Sequence, residues 1–447
     1  MPAITDRSLD SIDLDTEARP PLDGLARRYG EVRSFTERLC RPLATEDYVV
    51  QTMRDVSPTK WHLAHVTWFF ETFILSEHYA GYTPFHPEYA YLFNSYYLNA
   101  GERHCRDQRG YISRPTVAEV YAYREHVDEH MERLMAGASE GEAAVLAPLV
   151  ELGIQHEQQH QELLLTDIKH VLSVNPMRPA YRAPQGPAER GAREPDPLRW
   201  VAFGEGLRRI GHPGLESGFC YDNETPRHRH FVDAFELADR LVTNAEYLEF
   251  MRDGGYRRGD LWLSEGWAVA RERDWSEPFY WEERDGGWWS YTLAGLRPID
   301  PAEPVCHLSY FEADAYARWA GYRLPTEQEW EVAAGSAAQA QGNFVESGEL
   351  HPRPAPPAAA DEDGPRLRQM FGDVWEWTRS QYSPYPGYEP LPGTLGEYNG
   401  KFMSNQFVLR GGSCATSRTH IRATYRNFFP ADATWQFMGV RLARDAS

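Results

Sequence analysis

Residues 176–197 read PMRPAYRAPQGPAERGAREPDP, and this stretch divides the chain into two parts with different residue patterns. So many Pro and Gly residues stop both helices and strands, so the segment reads as an interdomain linker. At 447 residues the chain also exceeds one ordinary core, which calls for more than one domain. Ahead of the break, from residue 23 to 175, apolar residues recur at helical spacing in four stretches: 24–41, 58–79, 116–136 and 143–172. Ser57-Pro58 reads as a helix start, with Ser57 as the cap and Pro58 at the first helical position, and Ser113-Arg114-Pro115-Thr116 precedes the third stretch. Four long helices predict a four-helix bundle. After the break, from 198 to 447, short apolar runs alternate with Gly, Asn and Asp turns, and aromatics become dense (WWSY, WEWT, YPGY). Short helices are expected near 243–253 and 310–320, in an α+β domain. Residues 335–366 form a low-complexity insertion expected to be an exposed loop, and residues 1–22 a flexible lead-in.

Charge and cysteine usage narrow the function. A formal net charge of −20 argues against nucleic acid or an anionic membrane as the main partner. The five cysteines (40, 105, 220, 306 and 414) are scattered without a CxxC pair, as expected of reduced thiols in a cytoplasm. No apolar run approaches a membrane span, and the acidic start MPAITDRSLDSIDLD does not read as a signal peptide.

Within the fourth helical stretch, residues 151–170 read ELGIQHEQQHQELLLTDIKH. His156 and His160 are four apart, so their imidazoles project from one face and can grip one metal ion. The competing reading is a pair of surface histidines among Gln and Glu. A third ligand is available in Lys60-Trp61-His62-Leu63-Ala64-His65, where His62 and His65 are three apart and only one need reach the metal. His78, His86, His104 and His170 are weaker options. All-nitrogen ligation suits Zn, Fe, Ni or Cu without choosing among them.

Five strings together resemble one family: KWHLAHVTWFFETF (60–73), LFNSYY (92–97), HEQQHQE (156–162), LGEYNGKFM (395–403) and RGGSCAT…RATYRNFFP (410–430). They are similar to the ergothioneine sulfoxide synthases over about residues 25–445. The resemblance implies a DinB-like iron-binding helix bundle followed by a C-type-lectin-like domain of the formylglycine-generating-enzyme (sulfatase-modifying) kind. It implies one non-haem Fe(II) held by His62, His156 and His160, with O2 and a cysteine-type thiol as co-substrates. The implied reaction forms a carbon–sulfur bond at imidazole C2 of hercynine, giving a sulfoxide. By the same resemblance Gln159 contacts the substrate imidazole, and Tyr96 and Tyr97 supply a proton or hydrogen-bond donor, Tyr97 being the preferred one. Arg426, Asn427, Phe428 and Phe429 fall where the family contacts substrate, and aromatic rings suit a trimethylammonium group that has no N–H to donate.

Some positions depart from the family pattern. Leu98 stands where an acidic residue is expected, Cys105 has unusually polar neighbours, Ala415 replaces a Trp of some relatives, and Thr434 stands where relatives often carry Arg. A missing guanidinium puts the donor's carboxylate in question, so a selenoneine synthase joining a selenosugar to hercynine is the alternative. A formylglycine-generating enzyme needs a second Cys five residues after Cys414, where this chain has Thr419. The remaining alternatives are a DinB-like thiol transferase with another metal and a non-catalytic binding module.

Overall fold

The computed structural model describes residues 22–183, 194–335, 337, 339–358 and 366–446. The lead-in 1–21, the middle of the linker and part of the 335–366 insertion lie outside the described residues. The two halves have the expected architecture, a helix bundle followed by a domain of small sheets and short helices.

The bundle consists of α1 (Leu22–Cys40), α2 (Thr59–Phe70), α3 (Val117–Gly137) and α4 (Glu140–Ser173). Capping boxes start the last two. The Thr116 hydroxyl accepts from the Glu119 amide, and Ser139 does the same for Glu142, while each Glu carboxylate reaches back to the cap amide. The α2 start departs from the expected cap. Pro58, not Ser57, occupies the cap position, because the Ser57 hydroxyl accepts a hydrogen bond from Arg109 Nη1 at 2.9 Å instead. Every α2 residue is buried, which makes it the central helix, and a π-helical turn at Glu71–Leu75 extends it.

An ion cluster locks α1, α3 and α4. The fully buried Glu157 carboxylate accepts from Arg33 (2.9 Å), Arg124 (2.6 Å) and Thr36 (2.6 Å). Burial opposes its charge, but Arg124 and Arg33 outweigh that cost and hold the carboxyl down at about 2. A carboxyl depressed in the folded state stabilises the fold above its unfolded value of about 4.3, and that contribution is lost as pH falls toward 2. Glu157→Leu would remove the shared buried carboxylate of two guanidiniums, leaving Arg33 with Asp128 and Arg124 with only the 3.5 Å contact to Glu37, and is expected to cost about 3–5 kcal/mol at pH 7. Urea melts check this, and the gap from the unaltered protein should narrow at pH 3.

The linker begins as a packed strap. Tyr181 is buried with its hydroxyl donating to the Leu39 carbonyl, and Tyr291 donates to the Pro179 carbonyl at 2.5 Å. In the second domain, β1 (Trp200–Phe203), β4 (Phe235–Ala238) and β12 (Ala443–Asp445) form one sheet, so chain start and chain end of the domain pair through β4. β2 (Gly206–Ile210) pairs with β3 (His228–Val232), and β5 (Trp281–Arg284), β6 (Gly287–Thr292) and β7 (Gly295–Pro298) form a meander. The fourth sheet has the order β10 (Asn427–Pro430), β9 (Gln406–Arg410), β8 (Trp375–Gln381), β11 (Met438–Gly439). The expected short helices are α5 (Asn244–Arg252) and α6 (Tyr310–Trp319), each opened by a capping box, and α7 (Glu327–Ala334) follows. The insertion is not wholly an exposed loop: Phe344, Val345 and Leu350 are buried. No helix among the described residues is long and apolar enough to cross a membrane.

Candidate active site

Helix α4 carries two functional stripes because its residues serve two interfaces. Glu151, Gln155, Gln158, Gln159 and Glu162 follow the i, i+3, i+4 rhythm of one helical face, and four of them bond to the second domain directly. Gln155 Oε1 meets His420 Nδ1 at 2.7 Å, Gln158 Nε2 donates to Ser417 (2.9 Å) and Thr419 (2.6 Å), and Gln159 Nε2 donates to Tyr425 at 3.2 Å. The buried Glu162 carboxylate accepts from Trp375 (2.7 Å), Ser413 (2.6 Å) and Thr416 (2.7 Å). One residue around the helix, His156 and His160 turn toward α2.

There the side chains that converge are His65, His156 and His160, with one ligand atom from each lying within 4.8 Å of the others. His62 is not in this group, which corrects the sequence expectation. It lines the same cavity, but its Nε2 sits 3.0 Å from Asp167 and its Nδ1 2.9 Å from His160 Nδ1, so both its nitrogens are engaged. His65 is instead stacked between Trp61 (ring centroids 4.5 Å) and Trp68 (5.4 Å), with Nδ1 on the Phe93 carbonyl at 2.6 Å. Those contacts leave Nε2 of His65 and of His160 for a metal. His156 Nδ1 is buried with no hydrogen-bond partner among the described residues, an unmet valence that a metal-binding cluster accounts for. Burial, reinforced by the neighbouring histidines, pushes His65 and His160 well below the usual imidazole range, and burial takes His156 down to about 3. All three are therefore neutral, the form that binds a metal.

The cluster lies in a cavity of about 280 Å³ between the domains. Tyr96, Tyr97, Gln159, Asn427, Phe428 and Phe429 all line it, with Trp61, Arg106, Arg109, Phe402, Tyr425 and Trp435. Phe428 stacks on Tyr382 (4.1 Å) and Phe402 (5.7 Å), giving an aromatic wall on the β10 edge strand. Tyr96 accepts from Arg106 through its hydroxyl, whereas the buried Tyr97 ring packs on Trp68, Phe69 and Phe73.

Arg426 does not line the cavity, a second correction. It is buried away from it, forked onto both Glu327 oxygens (2.8 and 3.0 Å) and donating to the Asn223 and Ser383 carbonyls. Thr434 is also elsewhere, lining a separate cavity beside Phe279 and Tyr280. The guanidiniums that do reach the site come from the segment after the Tyr pair. Arg109 is 4% exposed, lies 3.3 Å from the Trp61 ring centroid and, among the described residues, its side chain bonds only to the hydroxyls of Ser57 (2.9 Å) and Ser95 (3.2 Å). Burial and the adjacent Arg106 lower its hold on its proton. Arg106 donates to the Asp55 carbonyl at 2.8 Å, and its buried Nε has no partner among the described residues. Their spacing, Arg106-Asp107-Gln108-Arg109, was the available sequence signal.

Family comparisons agree with this architecture. Residues 28–164 match the DinB superfamily, and residues 196–446 match the sulfatase-modifying factor enzyme 1-like domain. The hercynine oxygenase of Mycobacterium tuberculosis is 33% identical over 333 residues, covering 70% of this chain and 75% of its own. That of Mycolicibacterium thermoresistibile is 36% identical over 319 residues, covering 65% and 68%. The chain belongs to the hercynine oxygenase family. It is an enzyme of that type, built as a DinB domain joined to a sulfatase-modifying-type domain. The formylglycine-generating enzyme of Streptomyces coelicolor is 30% identical over 308 residues, 58% of this chain and 96% of its own. In this hercynine oxygenase family member Cys414 is buried, and Thr419 uses its hydroxyl to bind Gln158.

Proposed function

We propose that this enzyme binds Fe(II) through His65, His156 and His160 and joins a cysteine-type thiol to imidazole C2 of hercynine with O2, giving a sulfoxide. The convergence of three neutral imidazoles, two of them buried and one half-buried, on one wall of an interdomain cavity is the observation that carries this reading. When bound, the metal supplies a site where O2 and thiolate meet next to the substrate ring. The net change balances: a ring C–H, a thiol S–H and O2 become a C–S bond, an S=O oxygen and water.

The chain's residues supply the rest. Gln159 faces the cavity as a hydrogen-bond partner for the substrate imidazole. Asn427, Phe428 and Phe429 form the wall against which the trimethylammonium group rests, held by aromatic faces. Tyr97 is the proposed proton donor, since its ring and that of His156 both pack on Phe69, at 6.4 and 4.7 Å. Arg109 and Arg106 receive the donor's carboxylate. A buried guanidinium bonded only to hydroxyls is costly until an anion arrives, and this supports a carboxylate-bearing donor over a selenosugar. The proposed setting is cytoplasmic, with small molecules as the only partners the site requires.

The test is an anaerobic Fe(II) reconstitution followed by hercynine, O2 and equal concentrations of cysteine, γ-glutamylcysteine and a selenosugar, read by mass spectrometry. A sulfoxide adduct of one of the thiols is expected. A selenium adduct as the main product transfers the reading to selenoneine synthesis, and no C2-substituted product removes both.

A further inference from the structure

A chain of hydrogen bonds runs from the bundle surface, through the second domain, and back to Gln159. It starts at Arg28, whose Nη1 pairs with Glu151 Oε2 at 2.7 Å. Glu151 Oε1 accepts from Gln155 Nε2 at 2.7 Å. An ionised carboxylate has only acceptors to offer, so the Gln155 amide is forced to point its nitrogen at Glu151 and its oxygen at His420. His420 Nδ1, 2.7 Å from that oxygen, must then carry the proton. With one N–H used, a neutral imidazole offers only an acceptor at Nε2. The Tyr425 hydroxyl, 3.1 Å away, therefore donates to His420, leaving its oxygen to accept from Gln159 Nε2 at 3.2 Å. Gln155, His420 and Tyr425 are all at least 97% buried, so water does not compete for these bonds. Burial, with Arg422 second, holds His420 well below the usual imidazole range, which keeps it neutral.

We infer that Gln155, His420 and Tyr425 are positioning residues that fix the polarity of Gln159, so that its Oε1 and not its amide nitrogen is presented to the cavity. The consequence is a specificity rule. The group bound at Gln159 must be a hydrogen-bond donor, such as the N–H of a neutral or protonated imidazole, and a ring nitrogen offering only a lone pair is rejected. The inference rests on the proposed binding of hercynine in this cavity. It goes beyond that reading by assigning which substrate atom type faces Gln159 and which distant residues decide it.

The test uses a sign change. Tyr425→Phe in the unaltered enzyme frees the Gln159 amide to flip, and is expected to weaken hercynine binding about tenfold, the effect of one well-made hydrogen bond. It should raise KM more than it lowers kcat, with metal content unchanged. Gln159→Glu alone sets a carboxylate oxygen against a Tyr425 oxygen whose proton is committed to His420, and so binds poorly. Adding Tyr425→Phe to Gln159→Glu removes that clash while keeping an acceptor toward the substrate, so the same substitution should now improve binding. Calorimetric titration of hercynine into the anaerobic, metal-restored proteins reads all four. Should Tyr425→Phe fail to fold, Gln155→Leu replaces it in both backgrounds, since releasing His420 from its tautomer predicts the same reversal. An effect of the same sign in both backgrounds overturns the relay alone. No hercynine binding to the unaltered enzyme overturns the substrate assignment and the relay with it.

Discussion

His65→Ala is expected to weaken metal binding by about 100-fold or more and to abolish turnover, while His62→Ala retains a metal site. Loss of partners behind a metal ligand typically costs 10–100-fold, and loss of a ligand itself costs at least as much. The contrast between the two substitutions follows from where each ring is held. His65 is clamped between Trp61 and Trp68 with Nδ1 on the Phe93 carbonyl, so its remaining nitrogen meets His156 and His160. His62 instead bridges Asp167 and the Nδ1 of His160. Its removal should loosen the orientation of His160 and cost metal affinity in the 10–100-fold range without eliminating binding. Iron content after dialysis against a chelator series separates the two. Equal loss in both variants would place His62 among the ligands.

Arg109→Met has the second large expected effect, and it acts in opposite directions on function and stability. The donor's KM should rise about 100-fold, in line with the 2–5 kcal/mol lost when one partner of a buried charged pair is truncated. Without ligand, however, the variant is expected to melt no lower than the unaltered enzyme. The guanidinium it removes is buried on Trp61 with two serine hydroxyls and, among the described residues, no ion pair, Asp167 being only a weak counter-charge. Replacing a buried charge that lacks an ionic partner by an apolar chain of similar length is neutral or stabilising. Steady-state kinetics at saturating hercynine, paired with thermal melts, checks both halves. An unchanged donor KM would show that the donor's anion binds elsewhere.

The sequence carried most of the architecture because the bundle is written in local patterns. Apolar periodicity located α1 to α4, and the Thr116–Glu119 and Ser139–Glu142 boxes mark helix starts within four residues of sequence. His156 and His160 were legible for the same reason, being one turn apart on one helix. The choice between His62 and His65 was not local. It depends on Asp167, 105 positions from His62, which diverts that ring from the cluster. Arg426 was misplaced by an equivalent long-range contact, since Glu327 claims its guanidinium from 99 positions away. The Thr434 position points to the donor clamp because a missing Arg is visible in a string. Arg106 and Arg109 become significant only when both are seen to line the cavity, with Arg109 buried and held by no ion pair among the described residues. The 3₁₀ turn that carries them has no periodicity to announce it.

The most direct measurement follows the hydrogen at the carbon that reacts. Hercynine deuterated at imidazole C2 is given to the Fe(II)-restored enzyme with cysteine and O2, and the product is analysed by mass spectrometry. The prediction is a cysteine sulfoxide adduct that has lost the deuterium, absent in His65→Ala. Recovery of hercynine with its label intact, while thiol and O2 are consumed, would contradict carbon–sulfur bond formation at C2.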